Sequence, residues 1–96
     1  MKAYLVLDFS IHDLEAFRPY IANVPAFIDK HGGKYIVRGA QPRPIEGDWS
    51  PERMVIIEFP TPQNAEQFLA DPGFQELAKI RHNTTTSNLV LVDGAE

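Results

Sequence analysis

The sequence predicts an α+β fold in which one antiparallel four-stranded sheet carries its helices on a single face. Four short runs rich in aliphatic, β-branched and aromatic residues read as strands, and two stretches with apolar residues at helical spacing lie between the first and second and between the third and fourth. Crossover connections are almost always right-handed, so both helical stretches are expected to cover the same side of the sheet. The chain has 96 residues, 44% of them hydrophobic, which fits a single domain over residues 1–96 and leaves no room for a second.

The first strand is expected at Ala3 to Phe9, bounded by the polar Ser10, His12 and Asp13. Asp13 is a good N-cap for the helix that follows, Glu15 suits its first turn, and Leu14, Phe17, Ile21, Val24 and Ile28 recur at helical spacing. Pro19 and Pro25 each remove a backbone donor, which predicts a kink or break near Asn23 to Pro25. Gly32 and Gly33 end the helix. Lys34 to Gly39 is the second strand and Arg53 to Phe59 the third, joined by a long loop from Ala40 to Glu52 that holds Trp49, the only tryptophan. Thr61 caps a second helix with Pro62 at its first position, interrupted at Asp71-Pro72-Gly73, where Asp71 caps a further stretch ending near His82 and Asn83. Asn88 to Val92 closes the sheet. The order strand, helix, strand, strand, helix, strand is the split βαβ arrangement of ferredoxin-like folds.

Leu5-Val6-Leu7, Met54 to Ile57 and Leu89 to Val92 are continuous apolar runs, not the alternation of a sheet with one wet face. Both faces are therefore expected to be buried. With no further element to cover the second face, another copy of the sheet is the most economical cover, which predicts a homodimer.

Composition excludes several classes of function. No cysteine means no disulfide, thiolate nucleophile or iron–sulfur cluster. The longest apolar run, Ala3 to Leu7, is far short of the roughly 20 residues that span a bilayer, and no secretory signal is read, so the expected location is cytoplasmic, without membrane partners. Nine basic against 13 acidic residues give a net charge of −4, which disfavours nucleic acid. His12, His31 and His82 lack metal-ligand spacing, and Gly32-Gly33 follows a helix, the reverse of a nucleotide-binding turn, so neither a metal nor a cofactor is expected.

The topology gathers chemistry at one sheet edge, where the ends of strands one and two meet the starts of strands three and four. Asp8, Arg38, the Glu46 to Trp49 loop, Arg53 and Ser87 are expected there, with His12 at the start of the first helix and Arg81 and His82 at the end of the second. Arginine forks bind carboxylates, and a histidine or carboxylate can move a proton. Ligand binding is therefore assigned to Arg38, Arg53, Trp49, Glu46, Arg81 and Ser87, and catalysis to His82, His12, Glu58 and Asp8. The alternative is that Arg38 and Arg53 pin the loop through Glu46, Asp48 or Glu52. Glu58, between Ile57 and Phe59, is either paired across the hairpin or a buried acid with a raised pKa. A hairpin register that sets Lys34 against Glu58 satisfies that charge and puts Arg38 and Arg53 on opposite faces; a one-residue slip sets the two arginines directly opposite each other.

HGGKYIVRG from His31, EGDW from Glu46, PERMVIIEFP from Pro51, DPGFQELAKIR from Asp71 and LVLVDG from Leu89 together resemble the bacterial domain of unknown function 1330 family, of the dimeric α+β barrel superfamily, over nearly the whole chain. Ala40 stands where the family commonly has a second glycine, and DPGF where it commonly has SPEY, so that Phe74 carries a plain ring in place of a phenol. The resemblance implies a ferredoxin-like fold and a dimer with sheets face to face, and no established reaction. Similar barrels host cofactor-free monooxygenases and lactone isomerases. The expectation is a cofactor-independent dimer that binds or converts a small organic acid, lactone or carbonyl compound; the alternative is a non-catalytic interaction or ligand-sensing domain.

Overall fold

A computed structural model describes residues 1–95. They form β1 (Ala3–Ile11), α1 (Leu14–Lys30), β2 (Lys34–Ala40), β3 (Arg53–Phe59), α2 (Pro62–Ala70), α3 (Pro72–Thr84) and β4 (Thr85–Asp93). The strands make one antiparallel sheet in the order β2-β3-β1-β4, the ferredoxin-like arrangement.

Alternate residues of the strands face the helices: Leu5, Leu7 and Phe9 of β1 and Ile57 and Phe59 of β3 enter one core with Phe17, Val24 and Ile28 of α1 and Phe68 and Phe74 of α2 and α3. Phe68 anchors that core, its ring stacked at a tilt 4.2 Å from Phe74 and 5.4 Å from Phe59. Such aromatic pairs contribute beyond the area they bury.

α1 starts where Asp13 accepts a hydrogen bond from the Ala16 amide at 3.1 Å. It then runs unbroken to Lys30 through both prolines, contrary to the expected break. Pro19 is exposed and Pro25 half-buried, and the apolar stripe Phe17, Tyr20, Val24 and Ile28 holds the helix on the core. Packing outweighs the lost backbone donors. The stripe uses Tyr20, while Leu14 and Ile21 lie nearly half exposed.

The Asp71 carboxylate accepts from the Gly73 amide at 2.9 Å to cap α3, and also from Lys30 Nζ at 2.9 Å and His31 Nε2 at 2.8 Å. One side chain thus ties the end of α1 to the α2–α3 junction. α3 passes into β4 without a loop: β4 starts at Thr85, three residues before the expected Asn88, because β1 continues to Ile11 and pairs there with Thr85.

The hairpin register holds a further correction. Lys34 faces Glu58 and Tyr35 faces Ile57, but Val37 then faces Ile56, Arg38 faces Val55 and Ala40 faces Met54. Two irregularities, one at Ile36 and one at Gly39, each add a residue to β2. Gly39 adopts φ +87°, a conformation that other residues rarely take. Neither uniform register describes the hairpin, and the first irregularity turns Arg38 toward the helices, the side that Arg53 also faces.

Candidate functional site

Between the sheet and the helices lies a cavity of about 240 Å³. Its body is apolar, with Leu5, Leu7, Val24, Ile57, Phe68 and Phe74 among its walls. Its polar lining consists of two tyrosines, Tyr20 and Tyr35, and three arginines, Arg38, Arg53 and Arg81; it includes no histidine or carboxylate. The three arginines share one end. Arg53 lies opposite Phe9 and Arg38 opposite Val55, while Arg81 sits one turn before Thr85, the partner of Ile11. The cavity runs from there toward Ile28, Phe68 and Phe74. Positive charge is therefore confined to one end, and the Tyr35 phenol, opposite Ile57, is the polar group farther in.

Arg81 is the unusual member. It is 5% exposed, and among the described residues it pairs with no carboxylate. Nη1 donates to the Tyr20 hydroxyl at 3.2 Å and Nη2 to His82 Nε2 at 3.2 Å, while Nε is buried with no partner among the described residues. A buried cation lacking an anion is costly, and an orphaned buried donor adds to that cost. Arg38 and Arg53 are exposed at the same end. Arg38 stacks on the Tyr35 ring at 4.4 Å, and neither arginine is ion-paired to Glu46, Asp48 or Glu52 among the described residues. Burial pushes the Tyr35 phenol up, against the opposing pull of Arg38.

The other expected residues divide between the two faces. Asp8 lies on the outer face, where its carboxylate accepts from Trp49 Nε1 at 2.8 Å, and both border a shallow pocket with Ser10, Asp48, Glu52 and Thr86. The Trp49 loop therefore folds over the face away from the cavity. His12 is exposed and hydrogen-bonds the Thr86 hydroxyl. Ser87 faces Phe9 outside the cavity lining, and Glu46 is exposed in the loop. His82 is exposed and reaches the cavity only through Arg81.

Glu58 also lies on the outer face. It meets Lys34 at 3.2 Å and Lys2 at 3.4 Å and accepts from the Tyr4 hydroxyl at 3.3 Å. The hydrogen bond from Lys34, with Lys2 assisting, holds its carboxyl below the usual range despite partial burial. Among the described residues no group of three or more His, Asp or Glu side chains could hold a metal, and no helix is long and apolar enough to cross a membrane.

Tyr20 and Tyr35 were not anticipated as polar lining. The signal for Tyr20 was its place three residues after Phe17, where a phenol on an apolar stripe needs a polar partner inside the fold.

The family model described as "Domain of unknown function (DUF1330)" matches residues 2–95. No curated protein matches the chain. Among solved structures, a Rhodopseudomonas palustris protein of unknown function is 18% identical with a TM-score of 0.80, over 99% of this chain and 83% of that one. SnoaB, a cofactor-independent oxygenase from Streptomyces nogalater, is 24% identical with a TM-score of 0.70, over 99% and 94%. A dimeric ferredoxin-like protein of unknown function from Jannaschia sp. CCS1 is 10% identical with a TM-score of 0.76, over 98% and 100%. At these identities the likeness is one of fold.

Proposed function

The chain belongs to the domain of unknown function 1330 family, and on that premise we propose that it is a homodimer that binds a small organic acid, lactone or carbonyl compound, without a cofactor, in the cavity between sheet and helices. One observation carries the reading: Arg81 is buried beside an apolar cavity with no carboxylate among the described residues to balance it. An anionic or strongly polarised oxygen supplies that balance, and a charge-assisted hydrogen bond in a site screened from water is worth more than one at the surface. Arg38 and Arg53, exposed and without carboxylate partners among the described residues, draw the ligand to the mouth.

The outer sheet face supports the dimer. Val90 and Val92 are 57% and 50% exposed there, beside the half-buried Val6, Met54 and Ile56. This is an apolar surface with no cover in a single chain. Two solved structures of like fold are described as dimeric.

Binding is favoured over turnover because no histidine or carboxylate among the described residues lines the cavity. The reading in which the protein also converts its ligand rests on the fold shared with a cofactor-independent oxygenase and on His82, bonded to Arg81, as the group that exchanges a proton with solvent. A thermal-shift screen against small carboxylates, lactones and phenols tests the proposal. Ligands of one of these classes are expected to raise the melting temperature, and Arg81→Gln to abolish the rise. A flat response across the panel contradicts it.

A further inference from the structure

Resting on that reading, we infer that the ligand is a monocarboxylic acid with one compact apolar body, held head-first by Tyr20 and Arg81 with its body toward Phe68 and Phe74. Tyr20 is the residue this assigns. Its hydroxyl oxygen accepts from Arg81 Nη1, and its own proton enters no hydrogen bond among the described residues. Arg81 Nε is likewise a donor without an acceptor. Two unused donors, one on a buried cation and one on a phenol polarised by it, match the two oxygens of a carboxylate. A neutral carbonyl oxygen satisfies part of this set and leaves the cationic charge unbalanced.

Size and polarity fix the remainder. A cavity of about 150 Å³ lined by Leu, Ile and Phe takes up benzene, so about 240 Å³ holds one ring with a short side chain. Away from the arginine end the walls are Leu5, Val24, Ile28, Ile57, Phe68 and Phe74, with the neutral Tyr35 phenol beside Ile57 and no cation to pair a second charge. A dicarboxylate of this length would bury its far end unpaired, which the desolvation of a charge forbids. The mouth arginines Arg38 and Arg53 line the same end as Arg81, so they offer no partner to a charge at the far end.

Calorimetric titration of the full chain with 3-phenylpropanoate, acetate, succinate, γ-butyrolactone and 3-phenylpropan-1-ol tests this. 3-Phenylpropanoate is expected to bind at least tenfold more tightly than any of the other four. Tyr20→Phe is expected to weaken it by about tenfold while leaving the alcohol unchanged. Should Tyr20→Phe fold poorly, nuclear Overhauser contacts in the wild type decide the orientation: ring protons to Ile28 methyls and the ligand's α-methylene to Arg81 support it, and the reverse pattern overturns it. If succinate, acetate or the lactone binds as tightly as 3-phenylpropanoate, the apolar-acid inference falls while the cavity proposal stands. If the alcohol binds equally well, the carboxylate head is refuted. If nothing in the panel binds, both fall.

Discussion

Arg81 of α3 donates to the hydroxyl of Tyr20 in α1 at 3.2 Å, and both residues are buried. The bond joins two of the helices that roof the cavity and is one of only two hydrogen bonds that the Arg81 guanidinium makes among the described residues. Tyr20→Phe deletes it and leaves a second orphaned donor on a buried cation. The expected cost is about 1–3 kcal/mol, read as a lower urea midpoint with unchanged slope. Saturating ligand is expected to restore part of it, because a species that binds only the folded state stabilises that state.

Acid stability turns on Asp71. Hydrogen bonds from His31 and then Lys30 hold its carboxyl well below the usual carboxylate range. A carboxyl depressed in the folded state contributes stability that is fully present above its unfolded pKa, roughly 4. That contribution is lost as the pH falls below that value toward the depressed folded pKa. Asp71→Asn is expected to lower the melting temperature at neutral pH and to flatten its fall below about pH 4. Parallel acid curves for wild type and variant would contradict this.

The outer face gives a test of assembly that leaves the cavity untouched. The wild type is expected to scatter light as twice 10.8 kDa at micromolar concentration. Val90→Asp places a charge among Val6, Ile56 and Val92 and is expected to yield a monomer that still responds to acids. Trp49 reports the same event, since it bonds Asp8 on that face. Its emission is expected to change on dilution through the dimer equilibrium more than on ligand addition.

Gly39 follows Arg38 in β2. Its φ of +87° allows the irregularity after Arg38, and a Cβ there would meet nothing within 4 Å. Gly39→Ala therefore costs only the backbone preference, about 1–2 kcal/mol, by denaturant titration. Acid binding is expected to survive it, because the irregularity at Ile36, before Arg38, sets the face that Arg38 takes.

The fold was legible in the sequence because its signals are local and redundant: period and composition mark each strand, and Asp13, Thr61 and Asp71 mark the helix starts. The prolines of α1 misled because a helix is held by the stripe it buries, and Phe17, Tyr20, Val24 and Ile28 outweigh two lost donors. The site was legible only in part. Topology correctly brings Arg38, Arg53 and Arg81 to one end, but which face a side chain takes depends on register. Irregularities at Ile36 and Gly39 are set by tertiary fit and leave only a weak mark, one glycine in a strand. The same parity of register sends Asp8 and Glu58 to the outer face, away from the arginines.

The most direct measurement is the nitrogen-15 correlation spectrum of the arginine Nε–H groups, followed as 3-phenylpropanoate is added. Arg81 Nε has no acceptor among the described residues. A saturable downfield shift of that one resonance, absent in Tyr20→Phe or much weakened, is the expected result. A resonance that stays in place at acid concentrations that saturate the thermal shift would show that the acid binds elsewhere, and would contradict a cavity headed by Arg81.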